Sequence, residues 1–199
     1  MEVLITSKTK WSKYYCIGGL ELPSNRMVRL MTSIGTYQPL NCPFEIGNIW
    51  DLEYNYYPDS PPHIEDVRVI RRNGLVGKHH DFVSYVKNNC VIWNGDFNEL
   101  YEGKLQWTYA GSGYLNNPNN VPANSVGFWI SDNELTWDGK EYYVYERGIL
   151  LRNRKFKYKG IVPPIDVIPV GTLIRVSLAK WWDAHGEKRC YLQLSGWHL

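Results

Sequence analysis

The sequence predicts an all-β chain with little helix, built as two small barrels in tandem. Three observations carry this expectation. Aromatic residues make up 15% of the 199 residues, with nine Trp and fifteen Tyr, and large flat side chains suit pleated, half-buried surfaces. Short β-branched or alternating runs recur between turn signals in both the first and the last third of the chain. One apolar pattern appears once in each of those regions.

The elements follow in order. Val3 to Thr6 is a β-branched run. Tyr14 to Leu22 is a second strand interrupted by Gly18-Gly19, a pair that predicts a bulge or sharp bend of the kind small barrels use at corners. Pro23-Ser24-Asn25 turns the chain, and Arg26 to Met31 returns it. Phe44 to Tyr54 forms a longer strand, and a proline cluster from Pro58 to Pro62 turns it. Val67 to Ile70 alternates and runs into Arg71-Arg72-Asn73-Gly74, which is expected to turn. The middle of the chain differs. Phe82, Val83, Tyr85 and Val86 have helical spacing within Asp81 to Asn89, behind a His79-His80-Asp81 cap region. Gly111 to Asn124 is rich in Gly, Asn and Pro and reads as a long surface loop. Strands then resume at Val126 to Ile130, Tyr142 to Arg147, Ile149 to Tyr158, Thr172 to Leu178 and Cys190 to Trp197, with a hairpin dipeptide at Asp138-Gly139.

The repeated pattern is apolar-x-apolar-Gly-x-apolar-apolar-x-apolar. It covers Phe44 to Leu52 and again Ile168 to Val176, centred on Gly47 and Gly171. Another strand starts about twenty residues past each glycine, near Val67 and Cys190. The division that follows is a first barrel over 1–75, an insert with a short helix and a long loop over 76–124, and a second barrel over 125–199.

Ile5-Thr6-Ser7-Lys8-Thr9, Cys16-Ile17-Gly18-Gly19 and Val28-Arg29-Leu30 near the start, with Ser177 to Trp182 and Cys190 to Trp197 near the end, resemble the bacterial dual OB-containing domain family. The resemblance touches both ends of the chain and implies two OB-like barrels. Its motifs are structural rather than catalytic, and it implies association with nucleic acid only through the fold.

Composition narrows the function classes. The net charge is +2, so any nucleic-acid contact must come from local patches. Cys16, Cys42, Cys90 and Cys190 are scattered, with no metal-ligand spacing, and read as free thiols in a reducing cytoplasm. The chain starts directly on a strand without a signal-peptide pattern, and no apolar run reaches the ~18 residues of a membrane span. No cofactor, metal or membrane is expected.

The densest basic stretch is Arg147 to Lys159, with Arg147, Arg152, Arg154, Lys155, Lys157 and Lys159 and no acid. In an extended strand the three lysines share one face, at steps of ~7 Å that suit a phosphate backbone. Phe156 and Tyr158 fall on the other face with Arg152 and Arg154, where aromatics could stack bases. Lysines guarding a sheet edge are the alternative. Among Lys8, Lys10, Lys13, Arg26 and Arg29, the lysines read as ordinary surface charge. Arg29, between Val28 and Leu30, is suited equally to pairing a carboxylate such as Glu21 or to contacting a phosphate. Of Trp181 and Trp182, one points outward if the segment is a strand, and both are buried if it turns into a helix.

Candidates for catalysis are weak. Pro58-Asp59 with Glu102-Gly103-Lys104 has the letters of a metal-dependent nuclease pattern, but both pieces read better as turns or loops. No phosphate loop precedes a helix, and no Ser or Cys nucleophile has a placed His. The expected function is therefore a non-catalytic module that binds single-stranded or structured DNA or RNA through Arg147, Arg152, Arg154, Lys155, Lys157, Tyr158, Lys159 and Arg29. The alternatives are a protein-interaction subunit of a larger bacterial defence or mobile-element complex and, third, a metal nuclease.

Overall fold

In the computed structural model, which describes residues 1–184 and 186–199, the chain forms two compact units, Met1–Cys90 and Val91–Leu199. The segment 76–124 is divided between them: its helix belongs to the first unit and its loop to the second. Among the described residues no helix is long and apolar enough to cross a membrane. None of the four cysteines is in a disulfide.

The first unit has five main strands: β1 (Glu2–Trp11), β2 (Tyr14–Glu21), β3 (Arg26–Met31), β4 (Asn48–Tyr56) and β5 (Asp66–Lys78). β1 pairs with β2, β2 with β3, β5 with β4, and β4 with β1, all antiparallel. β3 and β5 run parallel, and their pairing closes the ring. Val3, Ile5, Ile17, Val28, Leu30, Phe44, Leu52 and Val67 fill the interior. The irregularity signalled by Gly18-Gly19 is real, but the extra residue lies opposite, in β1: the register steps between Ile5↔Gly19 and Ser7↔Gly18, so Thr6 is the bulge. Gly19 is needed for space, since a Cβ there would lie 2.5 Å from Val3 Cγ1.

Two expectations change in this unit. Arg71 to Gly74 does not turn. β5 runs straight through it, and three register shifts against β4 absorb Ile70, Asn73 and Val76 as extra residues. Asn73 is held there by donating to Asp51 Oδ2 at 3.1 Å while accepting from Arg71 Nε at 2.9 Å. Lys8 is not surface charge. It is 4% exposed and its ammonium reaches Glu45 at 2.7 Å. The helix α1 (Phe82–Asn89) forms as expected, with Asp81 accepting from the Ser84 amide at its N-terminus.

The second unit contains β6 (Ile92–Gly95), β7 (Gly113–Leu115), β8 (Val126–Ser131), β9 (Leu135–Trp137), β10 (Tyr142–Tyr145), β11 (Arg154–Tyr158), β12 (Leu173–Leu178) and β13 (Glu187–His198). β9 pairs with β10, β10 with β11, β13 with β12, and β12 with β8, all antiparallel. β11 and β13 run parallel. β8 and β9 are consecutive and separated only by 132–134, so together they act as one broken first strand. Asp138-Gly139 makes the predicted hairpin turn: Asp138 Oδ1 accepts from the amides of Lys140, Glu141 and Tyr142, and Gly139 has φ +77°. Trp129, Tyr143, Phe156, Ile174, Leu192 and Leu194 form the centre of the core. β6 adds in parallel beside β8, where Gly127 leaves room for the Trp93 ring.

Both units thus share one ring order, first–second–third–fifth–fourth–first, with a parallel third–fifth pair, the arrangement of a five-stranded OB barrel. The repeated sequence pattern marks the same place in each. Gly47 and Gly171 both have positive φ (+87° and +80°) just before the fourth strand. Each donates its amide back to the first strand, to Ile5 O at 2.9 Å and to Ser131 O at 3.3 Å.

Candidate nucleic-acid interface

The basic segment is divided by the strand it enters. Ile149 to Tyr158 is not one strand, because residues 146–153 leave the sheet as a loop and β11 begins only at Arg154. From there the period-two rule holds. Phe156 is fully buried. Tyr158 packs against Trp137, Tyr143 and Trp197 and donates to Val162 O at 2.7 Å, and burial holds its phenol well above the usual range. Tyr158, expected among the binding residues, is thus partly buried, with its ring packed against the second core.

Lys155 and Lys157 point the other way. They stand opposite Val144 and Tyr142 on β10, and both ammonium groups lie near the Tyr142 ring, at 6.0 and 5.7 Å from its centroid. Across the parallel pairing, Lys157 stands beside Gln193 of β13. Tyr191, two residues earlier, shares that face and meets Tyr114 of β7, with ring centroids 6.0 Å apart. Arg189 lies over the Tyr114 ring at 4.3 Å. One half-exposed face thus carries Lys155, Lys157, Arg189, Tyr142, Tyr191 and Tyr114. Two cations on it have carboxylate partners: Lys157 pairs with Glu141 at 2.8 Å, which raises its pKa, and Arg189 pairs with Glu187. Lys155 has no carboxylate in ion-pair range among the described residues. Lys159 follows the strand, and its pKa is lowered by burial and by Lys157.

The arginines gather at the other side of the same strand. Arg154 lies over both Phe97 (4.9 Å) and Trp107 (4.8 Å), Arg147 over the same Phe97 (4.8 Å), and Arg152 over Tyr109 (3.6 Å). The backbone brings them there, because the Lys155 amide donates to Gly111 O at 2.8 Å and fastens the 105–115 hairpin beside β11. Arg154 Nε is buried without a hydrogen-bond partner, and the Arg154 pKa is lowered by burial and then by Arg147 and Arg152. None of the three has a carboxylate in ion-pair range among the described residues.

Arg29 stands apart from this set. It is 6% exposed in the first unit and paired with Asp66, so of the two roles left open for it the structure has the carboxylate pair, with Asp66 in place of Glu21. Glu21 instead accepts from Ser24, Tyr54 and Tyr56. Trp181 packs against the second core, while Trp182 is 61% exposed on the short strand Trp182–Ala184 that pairs with the start of β13. In the nuclease pattern, Lys104 bonds Glu102 and Val121 O, while Asp59 belongs to the other unit. Among the described residues no cluster of three His, Cys, Asp or Glu side chains could hold a metal ion.

Sequence reasoning found the lysines but missed Tyr142, Tyr191, Tyr114 and Arg189. Their convergence depends on the parallel pairing of β11 with β13, two strands far apart in the chain. The alternation in Cys190 to Trp197 was the one available signal, and it does not say which face is open.

Two barrels of one ring order, joined in a single chain, define a tandem OB-fold protein. The model of the dual OB-containing domain family matches residues 1–197, and the chain belongs to that family. No curated protein and no solved structure matches it.

Proposed function

We propose that the chain is a non-catalytic binding module that holds a nucleic-acid strand on the β10–β11–β13 face of the second barrel. The observation that carries this reading is the gathering of Lys155, Lys157 and Arg189 with Tyr142, Tyr191 and Tyr114 on the second-and-third-strand side of an OB barrel, the side on which such barrels bind oligonucleotides. Cations spaced along a strand suit a phosphate backbone, and half-exposed tyrosines between them suit the faces of bases. The exposed Trp182 adds a further stacking surface in the loop between fourth and fifth strands, which OB folds also use.

Fluorescence anisotropy of labelled oligonucleotides across a salt series tests this. The expected result is measurable affinity at low salt that falls steeply with added salt. Lys155→Glu with Lys157→Glu should weaken binding to every sequence alike and reduce the salt slope by about 1–2. Absence of binding at low salt, or affinity indifferent to salt, would overturn the reading.

A further inference from the structure

Between β10 and β11 the loop 146–153 presents three consecutive large aliphatic side chains to solvent. Leu150 is 96% exposed, Ile149 is fully exposed and Leu151 is more than half exposed. Isolated exposed aliphatics are ordinary, but three in succession at a loop tip mark a contact surface. The loop is held outward at its stem. The Arg147 amide donates to Asn153 Oδ1 at 3.1 Å, Gly148 turns the chain with φ +79°, and the Asn153 carbonyl packs against Gly111, whose φ is +92°.

The charge around the tip selects its partner. Arg147 and Arg152 bracket it and Arg154 follows, all without carboxylate partners among the described residues. A neutral apolar groove would leave these cations without counter-charge, whereas a polyanion would pair them. Tyr109, 80% exposed and stacked under Arg152, adds a flat ring at the base of the loop. The strand that leaves the loop carries Lys155 and Lys157, so the tip and the lysine-bearing strand are continuous in the chain. An apolar tip beside phosphate-binding arginines is the equipment of a side chain that enters between stacked bases.

We propose that the Ile149–Leu151 tip is a wedge that enters the last stacked base step at a junction between duplex and single strand, with Arg147 and Arg152 holding the backbone on its two sides. A junction is the ligand of choice because unstacking is least costly where the helix already ends. The proposal rests on the nucleic-acid reading above and names the structure of the ligand within it.

The test uses DNA and RNA hairpins with a single-stranded tail, carrying 2-aminopurine at the junction step, whose fluorescence rises when stacking is lost. Anisotropy of the same oligonucleotides reports binding separately. The full chain should raise junction fluorescence several-fold. Ile149→Ser with Leu150→Ser should abolish that rise and lower the preference for the tailed hairpin over the plain single strand by about tenfold, the order left after unstacking offsets the burial of two aliphatic side chains. The salt slope should stay the same, because no cation is removed. Binding without a fluorescence rise, or an equal rise with the double variant, would refute the wedge and leave the sheet-face reading intact. No binding to any oligonucleotide at low salt would remove both. Co-sedimentation with phosphatidylserine vesicles that is lost in the double variant would reassign the tip to a membrane surface and refute the wedge.

Discussion

Arg29 and Asp66 stand opposite one another on the parallel strands β3 and β5, each less than a tenth exposed, with the guanidinium bonded to the carboxylate. Burial disfavours the charge on Arg29, and neighbouring Cys16 and Asp66 more than offset it. Removing one member of such a pair leaves the other charged in a poor dielectric. Asp66→Ala should therefore lower unfolding stability by about 3–5 kcal/mol, while replacing both residues, Arg29→Met with Asp66→Leu, should recover most of that loss. Urea denaturation at neutral pH reads both. A loss under about 1 kcal/mol for Asp66→Ala would show that the pair carries little of the barrel's stability. From sequence, Arg29 suited a carboxylate and a phosphate equally. Asp66 was not legible as its partner, because it is 37 positions further on and reaches Arg29 through a parallel register. Lys8 was misread for the same reason, its partner Glu45 being equally remote.

Strands were readable where one face is buried and the other is not. β11 shows this, since its alternation alone separates Lys155 and Lys157 from the buried Phe156. The failures lie where other physics overrides period two. Ile149 to Leu151 looks like a buried strand by composition, yet Gly148 and the Asn153 side chain close the loop before those residues can join the sheet. Asn73-Gly74 looks like a hairpin turn, yet it sits in a bulged strand whose partner β4 is shorter. Gly19 illustrates the tolerance of the barrel wall. Its missing Cβ leaves room for Val3 Cγ1 and for Val28, whereas a Cβ on Gly74 would meet nothing within 4 Å. Gly19→Ala should cost about 1–3 kcal/mol through overpacking. Gly74→Ala should stay within about 0.5 kcal/mol of wild type. Thermal melts of the two variants side by side would test the packing account, and equal melting temperatures would contradict it.

At the scale of the molecule, duplication of the ring did not duplicate its open face. The Gly47 and Gly171 pattern locates the fourth strand of each barrel, so the tandem plan was legible from sequence. The sequence also put the basic stretch in the second barrel, but how exposed the matching strands of each barrel are was not legible. In the first, β2 and β3 from Ile17 to Glu21 and from Val28 to Met31 are buried throughout. In the second, Tyr142, Lys155 and Lys157 occupy the corresponding strands half-exposed. The first barrel does carry exposed cations, Arg71 and Arg72, on the bulged part of β5, where Arg71 already pairs with Glu53 at 3.3 Å. If the proposed face is the site, position matters more than charge. Arg71→Glu with Arg72→Glu changes net charge by as much as Lys155→Glu with Lys157→Glu, since each pair of replacements turns two cations into two anions. Anisotropy at low salt should then show the first double variant binding oligonucleotides nearly as wild type does. The second should bind far more weakly, with a salt slope shallower by about 1–2. Equal losses from both would mean that the oligonucleotide responds to overall charge, and the second barrel's face would lose its claim to the ligand.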